Sequence, residues 1–223
     1  PGLTLEPGGT TGSLSAIFDI DAFASGDTDL RGLHFVSRDL TLGSGLDTFE
    51  LQTGDVLGAI ADNRTLTSTN SLAVANQDVF VFRPDTLGDY SSGTFHLLLD
   101  DPLGAQVQGI SLVETDTVVG DVTLEAGTFL LAEDGQKDLY HYAASGVGET
   151  TTSGTATLLI NGADINFGKN IHGVALVSED MAIGDTTLSA GQILLTLNDD
   201  DPDVGGNLVL ADRHDVFALD VTA

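Results

Sequence analysis

Residues 108–132, QGISLVETDTVVGDVTLEAGTFLLA, and residues 172–196, HGVALVSEDMAIGDTTLSAGQILLT, are two versions of one text. Their glycines superpose, Gly109 on Gly173, Gly120 on Gly184 and Gly127 on Gly191. An earlier copy, RGLHFVSRDLTLGSGLDTFELQTGDVLGAIA at residues 31–61, aligns through Gly32 and Gly43 and carries four extra residues before Gly54. An aspartate holds the same offset in each copy: Asp39, Asp116 and Asp180. Self-similarity of this kind is the mark of a repeat architecture and has to be read before any single element.

Two further segments recur in the same cyclic order. One reads QDVFVF, KDLYHY and HDVFAL, with Asp78, Asp138 and Asp215 aligned. The other reads TTGSLSAIFDID at the front of the chain, then SSGTFHLLLDD and TSGTATLLINGAD, aligning Gly12, Gly93 and Gly154 and then Asp19, Asp100 and Asn161. The pieces alternate with a period of two, as strands do. Phe95, Leu97 and Leu99 are expected on one face, Phe80 and Phe82 on another, with Pro84 ending that strand. Gly120-Asp121 and Gly184-Asp185 read as hairpin turns between short runs. No stretch reads as an amphipathic helix.

The expected fold is one all-β domain over residues 1–223. Residues 1–11 form a Pro/Gly-rich extended lead, and three repeats cover about 12–90, 91–151 and 152–223. Each repeat supplies about four or five short antiparallel strands, arranged propeller-like or prism-like. Propellers use at least four shorter blades, so the sheet arrangement is left open between those two. The chain opens with the segment that should follow its last one. Strand Ser13–Asp19 is therefore expected to pair with Asp215–Val221. Within one molecule this pairing closes the ring and hides two sheet edges; between molecules it makes a polymer.

The chain carries 34 acidic residues against 7 basic ones, a net charge of −27. A nucleic-acid partner needs a basic face, and an anionic membrane surface repels such a chain. No apolar run reaches the ~20 residues of a membrane span. Pro1 opens no signal peptide, so any targeting segment is expected to have been removed. With no cysteine, disulfides, thiolate nucleophiles and thiolate metal sites are excluded together. Of the acids 27 are Asp and 7 are Glu, a bias toward turns, caps and calcium loops rather than helices.

The string DVFVFRPDTLGDYSSGTFHLLLDDP, Asp78 to Pro102, resembles the D-x-F-x-F-x-P-x-x-L-G-x-x-T-x-G-T-aromatic-x-L-x-x-D repeat of very large bacterial surface and secreted proteins. Those proteins resemble calcium-dependent, type I-secreted adhesins and matrix proteins. At Lys137–Asp164 the Pro-x-x-Leu-Gly part is replaced by YAASGVGETTTSGT, and the ends of the chain match in part. The resemblance implies an extracellular or cell-surface repeat protein and carries over no active site.

The strongest metal candidate is NDDDPDVGGN, Asn198 to Asn207, where Asp199, Asp201 and Asp203 alternate ahead of Gly205 and Gly206. Calcium takes six to eight hard oxygens, which alternating carboxylates on a tight loop can present. The spacing departs from an EF-hand, and the competing reading is a solvated acidic loop. Asp19, Asp21, Asp27, Asp29, Asp100, Asp101, Asn161 and Asp164 read first as turn caps. Asp78, Asp138 and Asp215 read as backbone acceptors, since a catalytic residue has no reason to appear three times. His34, His96, His141, His172 and His214 show no metal spacing and read as surface or strand-packing residues. No Gly-x-Ser-x-Gly elbow is present, and Asn63-Arg64-Thr65 is a lone glycosylation sequon.

The function expected from these features is non-enzymatic: a calcium-stabilised structural or adhesive repeat protein of a microbial cell surface. Its expected partners are itself, through strand pairing, or cell-surface glycans, with no nucleic acid and no membrane insertion. The alternative is a secreted hydrolase or carbohydrate-binding module with a site at the repeat axis.

Overall fold

Strand alternation and glycine turns build three larger antiparallel sheets in chain order. The computed structural model describes residues 4–6, 9–11, 16–183, 186–205 and 209–221. The first sheet places Asp89–Leu99, Val79–Thr86, Val56–Ile60 and Leu30–Phe35 side by side. The second runs Val107–Leu112, Phe129–Glu133, Leu139–Gly146 and Ser153–Ile160. The third has, among the described residues, the strands Ile171–Leu176, Ile193–Leu197 and Phe217–Leu219. Between the first and second strands of each sheet a hairpin projects: Leu40–Ser44 with Asp47–Leu51, Thr117–Val119 with Val122–Leu124, and Met181–Ile183 with Thr186–Leu188. The chain is all-β; among the described residues its helical content is the single 3₁₀ turn Ile20–Ala22.

The second hairpin turns at Gly120-Asp121, with Gly120 at φ +56, the left-handed conformation that a two-residue turn requires. Its counterpart Gly184-Asp185 lies outside the described residues, although the strands that flank it pair. Larger sheets begin at Leu30, Val107 and Ile171, one strand out of phase with a division at 90/91 and 151/152.

The core lies between successive sheets. Leu57, Val79, Val81 and Leu98 of the first sheet meet Ile110, Phe129, Leu131 and Tyr142 of the second. On the other face of the second sheet, Leu130, Ala132, Leu139 and Ile160 meet Ile171, Val174, Ile193 and Leu195 of the third. A sheet covered on both faces needs apolar residues at every position, which is why Phe129–Ala132 is an unbroken apolar run. The far face of the first sheet is closed by Phe80, Phe82 and Phe95 packing with Phe23, Ile20, Leu66 and Val74. Ring centroids there stand 4.8–5.4 Å apart for Phe82–Phe95, Phe23–Phe82 and Phe23–Phe95, each pair adding about 0.5–1.5 kcal/mol beyond its buried area.

Two local expectations fail. Pro84 does not end its strand, which continues to Thr86 with Pro84 opposite Gly93. The Val56–Ile60 neighbour stops at the Val56–Phe82 pair, so Pro84 lies where the ladder is bonded to one partner only and a missing N–H is tolerated. Leu99 does not share a face with Phe95 either. The register slips between Leu97 and Leu99, and this bulge turns Leu98 and Leu99 into the cluster facing the second sheet.

Candidate functional site

The described part of the acidic stretch, residues 198–205, carries the first strand of a second projecting hairpin, in which Asp201–Val204 pairs with Val209–Ala211. It occupies the place of Arg64–Thr67 with Ser71–Val74 in the first sheet. One bond marks the equivalence: the Asn76 N–H donates to Asn63 Oδ1 at 2.9 Å, and the Arg213 N–H to Asp200 Oδ1 at 3.0 Å. The three sequence-predicted ligands take separate partners. Asp199 Oδ2 pairs with Lys169 Nζ at 2.8 Å, and that ammonium holds its carboxyl below the ordinary carboxylate value. Asp201 is buried, its Oδ2 accepting the Gly168 N–H at 2.6 Å and its Oδ1 the Asp203 N–H at 3.2 Å. Asn166 Nδ2 donates to the Asp203 carbonyl at 3.1 Å. Among the described residues no three His, Asp or Glu side chains gather as a metal site; residues 206–208 of this loop lie outside them. Asn166 Nδ2 also lies 3.4 Å from Asp203 Oδ2, so hydrogen bonds from the protein reach the carboxylates of Asp199, Asp201 and Asp203.

The recurring aspartates do the same job at each recurrence. Asp39, Asp116 and Asp180 accept the N–H groups of Thr53, Ala126 and Ala190 at 2.8, 2.9 and 2.9 Å, tying each projecting hairpin to its turn. Asp78 Oδ2 accepts the Ala75 N–H at 2.7 Å and Asp215 Oδ2 the Asp212 N–H at 2.9 Å. The residue two positions beyond the fourth strand also donates to this aspartate: Asp101 N–H to Asp78 Oδ1 at 3.3 Å and Gly162 N–H to Asp138 Oδ1 at 3.0 Å. Burial pushes the Asp78 carboxyl up, against its two backbone hydrogen bonds. Turn capping also holds for Asp19, Asp21 and Asn161, which accept from Asp21, Thr28 and Ala163 N–H groups.

Sequence reasoning missed a cluster joining the first two sheets. Glu114, buried, receives His34 Nε2 at 3.0 Å and the Ser37 N–H at 2.8 Å, and the Ser37 hydroxyl donates to its second oxygen. His34 Nδ1 accepts the Leu112 N–H at 3.4 Å, which leaves Nε2 to donate to the carboxylate. Burial raises the Glu114 carboxyl, but the bonds from His34 and Ser37 outweigh it and the net shift is downward. Both Ser37 and His34 face the carboxylate, so the hydroxyl has no imidazole base; the cluster is a clamp rather than a nucleophile pair. The Leu176 N–H donates likewise to Ser111 Oγ at 3.0 Å, linking the second and third sheets. Nothing in the sequence spacing brings residues 34 and 114 together.

The other histidines divide as expected. His96 stacks edge-on against Phe49 at 5.3 Å, and burial lowers both it and His141. His214 is exposed. His172, also exposed, lines a pocket of about 410 Å³ with Arg31, Asp19 and Asp29, where the strands Leu30–Phe35 and Ile171–Leu176 approach.

The feature that sets one end of the molecule apart is the third sheet. Phe217–Leu219 pairs with Ile193–Leu197 and, among the described residues, with no further strand, whereas the equivalent strands Val79–Thr86 and Leu139–Gly146 each carry a fourth strand outside them. Asp215 Oδ1 correspondingly receives no fourth-strand N–H among the described residues. The segment with the fourth-strand pattern is at the front of the chain. Of the expected strand Ser13–Asp19, residues 13–15 lie outside the described residues and residues 16–19 are in no strand. Ile17 is exposed, although the aligned Leu98 is wholly buried. No protein-family model, curated protein or solved structure matches this chain.

Proposed function

We propose that this chain is a non-enzymatic structural or adhesive module of a microbial cell exterior, built from three repeated units, whose third sheet is completed by the fourth-strand segment of residues 13–19. The observation that carries the reading is a third sheet with three strands among the described residues, beside two with four. An open sheet edge is a row of unpaired donors and acceptors that recruits a strand of matching register. Residues 12–20 supply that register: Gly12 where Gly93 and Gly154 stand, and the Ile20 N–H where Asp101 and Gly162 reach their aspartates. The extracellular setting rests on the resemblance to surface-protein repeats and on the Asp-rich composition. A propeller-like or prism-like closure is the form this completion takes when donor and acceptor belong to one molecule.

Deletion of residues 1–15 tests it, because Phe18, Ile20 and Phe23 stay to cover the first sheet. The shortened protein is expected to bind a peptide of residues 9–23, with hydrogen-exchange protection appearing at residues 217–219. A peptide that does not bind, or that protects another edge, removes the reading.

A further inference from the structure

The inner strands Leu30–Phe35, Val107–Leu112 and Ile171–Leu176 lie against one another in all three pairings, which brings equivalent positions close together. One position along them is polar in every unit: Arg31, Gln108 and His172, each directly before a glycine. The ladder slips at that residue in each strand. Pairing steps from Val107–Glu133 to Gly109–Ala132 and from Ile171–Leu197 to Gly173–Thr196, so Gln108 and His172 are each the extra residue. Leu30–Ile60 and Leu33–Gly58 bracket the same slip around Arg31. A bulge re-aims the side chain that it frees from the ladder, a device common beside binding sites. Strand pairing alone asks for no arginine, glutamine or histidine here.

Arg31 Nη1 donates to Gln108 Oε1 at 3.0 Å. Gln108 is 1% exposed, yet its Nε2 has no acceptor among the described residues, and neither has the buried Arg31 Nε. Buried donors are nearly all paired in folded proteins. Arg31 also lacks a carboxylate: in a chain with 34 acids it forms no ion pair among the described residues. Asp19, Asp29 and His172 line the same pocket of about 410 Å³ as Arg31. Asp29 is exposed, and its carboxylate accepts no hydrogen bond among the described residues. Phe18, Ile20 and Leu30 give the pocket an apolar wall.

We infer that this pocket binds a small zwitterion, an α-amino acid with an aliphatic side chain. Its carboxylate takes the guanidinium edge of Arg31 that Gln108 leaves open, with His172 beside it. Its ammonium group is held by Asp29 and Asp19, and its side chain lies on Phe18, Ile20 and Leu30. Charge selects this class of ligand. A bare anion would meet two carboxylates and a bare cation would meet the guanidinium, whereas a zwitterion answers both. Gln108 is a positioning residue: its bond to Nη1 fixes the guanidinium before an acid arrives, so less side-chain freedom is lost on binding. The inference goes beyond strand completion and does not depend on it, because the lining residues named here begin at Phe18.

The probe is L-leucine, titrated into the full chain and followed by amide chemical shifts. Saturable one-to-one binding is expected, with shifts at Asp29, Arg31 and His172. Isocaproate lacks the ammonium and leucinamide lacks the carboxylate; each is expected to bind about tenfold more weakly or worse. Asp29→Asn is expected to weaken leucine binding by about tenfold and to melt with the parent chain, since that side chain is exposed and bonds nothing else described. Arg31→Gln is expected to abolish binding. It also breaks the bond to Gln108, so Asp29→Asn decides the matter if Arg31→Gln unfolds. The absence of binding at millimolar leucine overturns the inference, as do shifts confined to another part of the chain. So does equal binding to Asp29→Asn, or binding of glucuronate, an acid with hydroxyls and no ammonium, in place of leucine. Peptide binding to the protein shortened by residues 1–15 stays a separate measure of strand completion, since the lining residues named here all remain in that protein.

Discussion

At the scale of single residues, the recurring carboxylates are acceptors for backbone N–H groups. Glu114 shows the consequence most directly, because one buried carboxylate ties Ser37 and His34 of the first unit to the second. Its folded-state value is depressed, so its stabilisation is complete above the ordinary glutamate range and is lost as pH falls through the folded value. Glu114→Gln is expected to cost about 1–3 kcal/mol at neutral pH. Thermal melts should show the gap to the parent chain narrowing as pH drops below about 4. A gap that is unchanged under acid conditions would mean that shape, not charge, holds the contact. The residues of this clamp were not legible in the sequence: His34 and Glu114 sit in different repeats at different offsets. The aspartates were legible, since a carboxylate that recurs at a turn serves the turn.

At the scale of elements, glycines decide how closely one unit approaches the next. Gly191 has φ +90, and a side chain there would run into the Val118 carbonyl, a backbone atom with little freedom to retreat. Gly45 also has positive φ, +65, but faces open space. Left-handed backbone alone costs about 1–2 kcal/mol for a residue with a Cβ. Gly45→Ala is expected to lose about that much and Gly191→Ala clearly more, as read from urea denaturation midpoints at constant slope. Equal losses would show that the inter-unit contact at Val118 carries no weight. Strand identity itself was readable from alternation, and the Phe80–Phe82 face was assigned correctly. The bulge at Leu98 was not readable, because it follows from how Asp89–Leu99 bends over its partner and leaves no trace in the apolar pattern.

At the scale of the whole molecule, the excess of acid sets how the protein answers to ions. Self-repulsion in a chain of charge −27 is relieved by any salt, whereas a calcium site answers to calcium alone. If the Asn198–Asn207 loop holds the ion, chelation lowers the melting temperature and sodium chloride at matched ionic strength does not restore it. A site at a free concentration 100-fold above its dissociation constant would contribute about 2.7 kcal/mol. An unchanged melting curve leaves the loop as the hydrogen-bonded hairpin described above. Asp201→Asn is the wrong variant for that question, since Asp201 already accepts the Gly168 and Asp203 N–H groups and its loss costs stability without calcium.

The amino-acid sequence by itself determined what is local and periodic. Strands follow from alternation, turns from glycine and aspartate, and the threefold recurrence of the text from direct self-comparison, because each needs only neighbours within a few residues. It also determined that the chain has no cysteine and a net charge of −27, which are matters of composition. The tertiary structure decided which faces meet. The stacking of the second sheet between the first and third, the His34–Glu114 clamp and the burial of Asp201 all join residues far apart in the chain, and no local pattern encodes such a distance. The same holds for Val216 and Ile183. Their side chains are as apolar as those of Val79 and Leu42, and only the packing of units shows that theirs are exposed.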